Sequence, residues 1–243
     1  MKLTKKCIVL TGGTSGIGRA LVECLAETNQ LIVIGRDAEK LQQLKCDWPS
    51  AITYQADLSN VKSVHSIAHS IQQQHPKIDV LINNAAVQFT PFFTDDRFDF
   101  NSIQQEIDTN FTSVCALTYG LLPSLLEASS SRIVNVNSAL ALVPKTSSAV
   151  YCATKAALNN FSQSLRYQSE GSAIGVQQAF LPLVDTKMTI GRGKGKISAS
   201  SAAFEIIAGI EKSNRDFDIG MTRFLRVLLA IAPFAAKKLL KGS

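Results

Sequence analysis

T-G-G-T-S-G-I-G occupies residues 11–18. It follows a short apolar run, Cys7-Ile8-Val9-Leu10, and leads into residues 20–25, whose apolar positions repeat with helical period. Glycine after a strand permits a tight turn. It also lets backbone amides approach an anion held at the start of the next helix, where free N–H groups and the helix dipole favour negative charge. Gly12, Gly16 and Gly18 therefore suit a pyrophosphate, although an ordinary strand-to-helix turn can carry three glycines as well. The rest of the chain decides between these readings.

Apolar runs of strand length recur at residues 7–10, 31–34, 52–54, 80–82, 133–136 and 176–181, each separated from the next by room for a helix. That alternation predicts an α/β fold: a doubly wound parallel sheet of Rossmann type in a single domain, with ligands at the carboxyl ends of the strands. The chain has 243 residues, 46% of them hydrophobic, enough for one substantial core. The domain is expected over residues 1–221, followed by a basic, apolar helical tail over 222–243. There are no repeats. Small low-complexity patches lie at 128–131, expected to connect a helix to a strand, at 191–196, expected to be a mobile loop, and at 198–203.

The net charge of +6 resides in the tail, which holds Arg223, Arg226, Lys237, Lys238 and Lys241 and no acid. The remainder is nearly balanced, so no basic face for nucleic acid is expected. Five scattered cysteines without a C-x-x-C pair suggest neither disulfides nor zinc and fit a reducing cytoplasm. The first strand starts too early for a secretory leader.

The spacing T-G-x-x-x-G-x-G resembles that of the single-domain short-chain dehydrogenase/reductase family. The resemblance continues through Asp57-Leu58, Asn83-Asn84-Ala85-Ala86, Asn110, Ser138, Tyr151-x-x-x-Lys155 and Pro182-x-x-x-Thr186, in the family's order. Two positions depart from the pattern: Ala86 stands where the family usually has glycine, and so does Leu183. The residues 134–158, with V-Y-C-A-T-K-A-A-L, and P-L-V-D-T at 182–186 carry a narrower likeness within the family. The resemblance implies an oxidoreductase with a nicotinamide dinucleotide held by Gly12, Thr14, Ser15, Gly16, Ile17, Gly18, Asn84, Ala85, Val184 and Thr186. By the same resemblance Asp57 and Leu58 border the adenine, Lys155 holds the nicotinamide ribose, and Asn110 helps fix a water that relays protons through Lys155.

Which nicotinamide is bound can be argued from the end of the second strand. An acid there would hydrogen-bond a ribose 2′-hydroxyl and repel a 2′-phosphate. This chain has Gly35 and then Arg36, whose guanidinium can fork onto a phosphate, so NADP(H) is expected. Asp37 is expected to cap the helix that follows.

Tyr151 and Lys155 lie four apart in a helical pattern and share a face. A free phenol titrates near ~10, and a neighbouring ammonium favours its phenolate. Tyr151 is thus the expected acid in carbonyl reduction and base in alcohol oxidation, with Ser138 holding the substrate oxygen. The partner is a small carbonyl or alcohol substrate. An epimerase or dehydratase with permanently bound nucleotide, and a nucleotide-sensing or membrane-associated protein without enzymatic activity, are the competing functions. No metal is expected, since His65 and His69 have helical spacing but no third ligand. Cys152 is expected to be a small buried residue.

Residues 183–200 occupy the substrate-loop position, where Lys187, Arg192, Lys194 and Lys196 alternate with glycines. This is a lid whose cations suit an anionic substrate, or a solvated loop. The apolar stretch 224–236 is too short to cross a bilayer, which takes about 20 residues. It is expected either to lie on a membrane surface, making the cytoplasmic chain peripheral, or to bury against its own domain or a second copy in a homo-oligomer. Pro233 should split it into two helices.

Overall fold

Five consecutive apolar or β-branched residues form β1 (Cys7–Thr11), and all five are buried, as a strand covered on both faces requires. The computed structural model describes residues 1–212 and 215–241. Around β1 lie β2 (Gln30–Gly35), β3 (Ile52–Gln55), β4 (Val80–Asn83), β5 (Ser131–Ser138) and β6 (Ile174–Leu181). A two-residue strand, β9 (Phe217–Asp218), completes a seven-stranded sheet in the order β3-β2-β1-β4-β5-β6-β9, parallel throughout. A separate pair, β7 (Val184–Asp185) and β8 (Ile197–Ser198), brackets the lid.

The strand alternation sorts side chains onto two helical layers. Ile8 and Leu10 face α1 (Gly16–Leu25), α2 (Ala38–Asp47) and α7 (Ala199–Lys212). Val9, Ile32 and Ile34 face α3 (Val61–Gln74) and α5 (Ser113–Leu126), with α6 (Ala149–Gln168) packing on the same side through Leu165. The expected doubly wound sheet is therefore present, with strands one or two residues longer than their apolar runs except β5, which is twice as long as its run. Ser131, expected in a connection, pairs with Ile174 in β5 because the polar residue can extend a ladder that the run 133–136 only nucleates. Residues 199–203 of the third patch open α7.

Asp37 caps α2 as expected, accepting from the backbone N–H of Lys40. Arg19 of α1 bridges to Asp47 at the end of α2 and lies 4.3 Å above the ring of Trp48, the only tryptophan in the chain. The segment carrying Asn110 is a helix in three parts: α4 (Asn101–Ile107), a π-helical turn Asp108–Thr112, and α5.

Pro233 does divide the tail, into α8 (Thr222–Ile231) and α9 (Pro233–Lys241); residues 242–243 lie outside the described residues. One face docks on its own domain. Leu225 and Ala236 are buried with Val143, and Lys241 O accepts from Thr146. Arg223 and Arg226 pair with Glu205 and Asp218, so two of the five tail cations are compensated. The outward face keeps Ile231 76% and Phe234 86% exposed. Among the described residues no helix is long and apolar enough to cross a membrane.

Candidate active site

The glycine turn is closed by contact between backbones. A Cβ on Gly18 would stand 2.0 Å from the Gly12 carbonyl oxygen, so α1 meets the turn at a distance only glycine permits. Asn84, expected at the cofactor, spends its side-chain amide bracing this turn, donating to Thr11 O at 3.0 Å and Gly12 O at 3.3 Å. Thr11 Oγ1 in return accepts from the Asn84 and Ala85 amides. Ser15 stands at the N-cap of α1 in extended backbone without accepting from the first turn, which leaves those N–H groups to a ligand. Thr186 packs against Gly16 and joins the loop after β6 to the turn.

A cavity of about 580 Å³ runs from this turn across the carboxyl ends of the strands. Every expected cofactor and catalytic residue borders it except Asn110. Arg36 is exposed at one end and makes no ion pair among the described residues, whereas Asp37 is engaged by Lys40. Asp57 accepts from the amide and hydroxyl of Ser59. A cradle that any Cβ would fill, uncapped helix amides and an unpaired guanidinium together fit a phosphorylated dinucleotide.

At the other end Ser138, the last residue of β5, borders the cavity beside Tyr151 and caps the turn Ala139–Ala141 by accepting from Leu140 N–H. Tyr151 is 9% exposed and Lys155 4%. The expected pairing of ammonium and phenol takes a different form. Lys155 Nζ donates to Val136 O at 2.9 Å and lies 5.7 Å from the Tyr151 ring centroid, and burial pushes its pKa down to about 8. Burial pushes the Tyr151 phenol up to about 12, with neighbouring Ser138 acting against it. Desolvation outweighs attraction to a cation, so the phenol keeps its proton.

Asn110 makes contacts that the sequence did not reveal. Its Oδ1 accepts from Val87 N–H at 2.8 Å, and its Nδ2 donates to Val87 O at 2.9 Å and Thr154 Oγ1 at 3.2 Å. The side chain thus clamps the loop after β4 onto α6. The clamp comes from the π turn, a register shift that often marks functional sites.

Sequence reasoning missed a polar ladder beneath α6. Asn83 donates to Asn135, Asn135 to Ser162, Asn137 to Gln178, and Gln178 to Asp216, all at 2.8 to 3.0 Å. Polar residues inside otherwise apolar strands were the available signal. The lid also rearranges the expected cations. Lys196 folds back onto Asp185 and Thr189 O, and Lys187 and Lys194 are exposed, while Arg192 turns inward and donates to Gln88 Oε1 at 2.8 Å. Leu183, which departs from the family pattern, lies under Gly193 of the lid. His65 and His69 are exposed, no metal-binding cluster exists among the described residues, and Cys152 is buried as expected.

The sequence model described as short chain dehydrogenase matches residues 6–196. An uncharacterized oxidoreductase DltE of Bacillus subtilis is 34% identical over 187 residues, 76% of this chain and 74% of that protein. It fits the narrower likeness that residues 134–158 and 182–186 carry. Sulfoacetaldehyde reductase 2 of Chromohalobacter salexigens is 30% identical over 202 residues, 81% of this chain and 80% of that protein. Among solved structures, a Burkholderia cenocepacia short chain dehydrogenase in complex with NADP superposes with a TM-score of 0.88 at 24% identity, covering 99% of both chains. A Burkholderia phymatum relative in complex with NAD gives 0.81 at 20% identity, covering 95% of this chain and 96% of that one.

Proposed function

Because this chain belongs to the short chain dehydrogenase family, we propose that it is an NADP(H)-dependent oxidoreductase interconverting a carbonyl compound and a secondary alcohol, with Tyr151 as acid and base. One observation carries the reading: a buried tyrosine beside Ser138 stands in the same cavity as an open glycine turn. The bound nicotinamide would supply or take the hydride. Ser138 and Tyr151 hold the substrate oxygen, and Tyr151 transfers its proton to the oxygen as negative charge develops there. A phenol that titrates near 12 is still far more acidic than an alcohol, so this transfer to an alkoxide runs downhill. Carbonyl reduction is the favoured direction, and a relative named as an aldehyde reductase supports it. Similar folds hold NADP in one case and NAD in another, so the preference for NADP(H) rests on Arg36 and the missing acid at Gly35.

The test is a panel of aldehydes, ketones and alcohols followed by NADPH absorbance, with Tyr151→Phe as control. Turnover should fall about 10²–10⁴-fold in the variant, with NADPH affinity unchanged. Retained turnover refutes the assigned acid.

For the tail we propose contact with an anionic membrane surface. Phe234, Lys237, Lys238 and Lys241 lie at i, i+3, i+4 and i+7 on the exposed side of α9, so an apolar wedge is flanked by three cations without an ion pair among the described residues. On α8 Phe224, Val227 and Ile231 form a second exposed stripe.

A further inference from the structure

Arg192 of the lid and Lys145 of the turn before α6 both border the cavity, and both are partly buried. Neither has an acidic partner within ion-pair distance among the described residues. Their locations mark the end of the cavity where chemistry occurs. Arg192 donates to Gln88 Oε1, Glu106 favours its charge, and Arg192 in turn acts against the charge of Lys145. Glu106, the carboxylate closest at hand, is buried and committed to Phe89 N–H at 2.7 Å.

Cations removed from water are ordinarily paired, because desolvation without a counter-charge is unfavourable. Two like charges sharing one wall raise that cost and make a concave site of positive potential. The partners of Arg192 are neutral oxygens of Gln88, Oε1 at 2.8 Å and the backbone carbonyl at 3.5 Å, which an oxyanion outcompetes by charge-assisted bonding. The same cavity is also lined by the apolar side chains Met188, Leu225 and Leu240, against which a short carbon chain could pack.

We propose that Arg192 and Lys145 form an anion subsite, so that the carbonyl substrate carries a carboxylate, sulfonate or phosphate group. The inference rests on the oxidoreductase reading for the word substrate, but not for the anion. Of four lid cations, only Arg192 takes part, and Lys145 comes from another segment.

A binding arm needs no turnover. Butyrate, propanesulfonate and propyl phosphate are titrated calorimetrically into the NADP⁺-saturated protein, with butyramide as the neutral control. At least one anion should bind about tenfold or more tighter than butyramide, and the preferred one identifies the group. Arg192→Gln and Lys145→Gln should each erase that margin, and Lys145→Arg should retain it, with NADPH affinity unaltered in all three. A turnover arm compares 4-oxobutanoate with its methyl ester. The acid should be favoured about tenfold or more in kcat/KM, through KM, and the advantage should vanish in Arg192→Gln while the ester rate is kept. No anion margin in the wild type, a margin that survives both glutamine variants, or variants that weaken NADPH instead, each overturns the proposal. Anion binding without turnover of any carbonyl compound would sink the oxidoreductase reading and leave the subsite standing.

Discussion

The two ends of the cavity are built by different means. At the glycine turn, shape is set by the close approach of backbone to backbone within residues 11–18, braced by Asn84 and Thr186. At the chemical end, shape is set by side chains from segments far apart: Arg192 reaches Gln88 across 104 positions, and Lys241 O meets Thr146 across 95. A cradle made of main chain tolerates few sequences, because a single Cβ obstructs it. A wall made of lid, turn and tail can be rebuilt one side chain at a time, so substrate choice can change while nucleotide binding stays fixed.

If that division is real, the largest effect belongs to Gly18→Ala. A Cβ 2.0 Å from a carbonyl oxygen cannot be relieved by a rotamer. Overpacking of this kind costs about 3 kcal/mol or more, so NADPH affinity should fall roughly 100-fold while the lid and tail keep their structure. Fluorescence titration and amide-exchange protection of α8 would measure both. Normal NADPH affinity would break the comparison.

Lys155 sits at the seam of the two ends, and its burial has a pH signature. With a folded pKa near 8 against an ordinary 10.5, the unfolded chain binds the extra proton between those values, so this group's contribution to stability rises with pH across that window. The span corresponds to roughly 3 kcal/mol. Cys7 and Cys115, pushed up to about 11 by burial, and Tyr151, pushed up to about 12, act in the opposite sense at higher pH. The difference in denaturant stability between wild type and Lys155→Met isolates the lysine, and a difference that is flat from pH 8 to 10.5 contradicts the assignment.

Arg36→Ala sharpens the nucleotide side. Losing charge-assisted bonds to a phosphate costs about 1.5–3 kcal/mol, so NADPH should weaken by roughly 10- to 100-fold and NADH hardly at all. Equal affinity of the wild type for both nucleotides would remove the basis for NADP(H).

The smallest effect concerns the tail. Each Lys→Gln at Lys237, Lys238 or Lys241 should weaken sedimentation with anionic vesicles by about 1 kcal/mol, and added salt should do the same. Phe234→Ser should lower it further. Binding that ignores salt, or an oligomeric mass that changes with Phe234→Ser while vesicles are ignored, makes the stripe a subunit interface.

How far the sequence foretold these features follows the same division. Gly12, Gly18 and Tyr151-x-x-x-Lys155 were legible because turn geometry and helical spacing act over a few residues. The hydrogen bonds of Asn84 and Asn110 within the fold were not legible, since a side chain's partners depend on what folds against it. Asn84 braces Gly12, and Asn110 clamps Val87. Lys145 gave no signal at all, because its significance arises only when the lid brings Arg192 beside it. β9 escaped because two residues carry no period, and its place is fixed by pairing with Ala179 and Phe180.

Trp48 offers an optical handle on one end only. As the single indole of the chain, stacked under Arg19 of the helix that starts at the glycine turn, it should emit according to how tightly α1 is held to α2. Ligands that fasten α1 should change its fluorescence, and compounds entering between the lid and the tail should leave it silent. Any emission change on adding such a compound to the nucleotide-loaded protein would then report mechanical communication between the ends, without a label and without turnover.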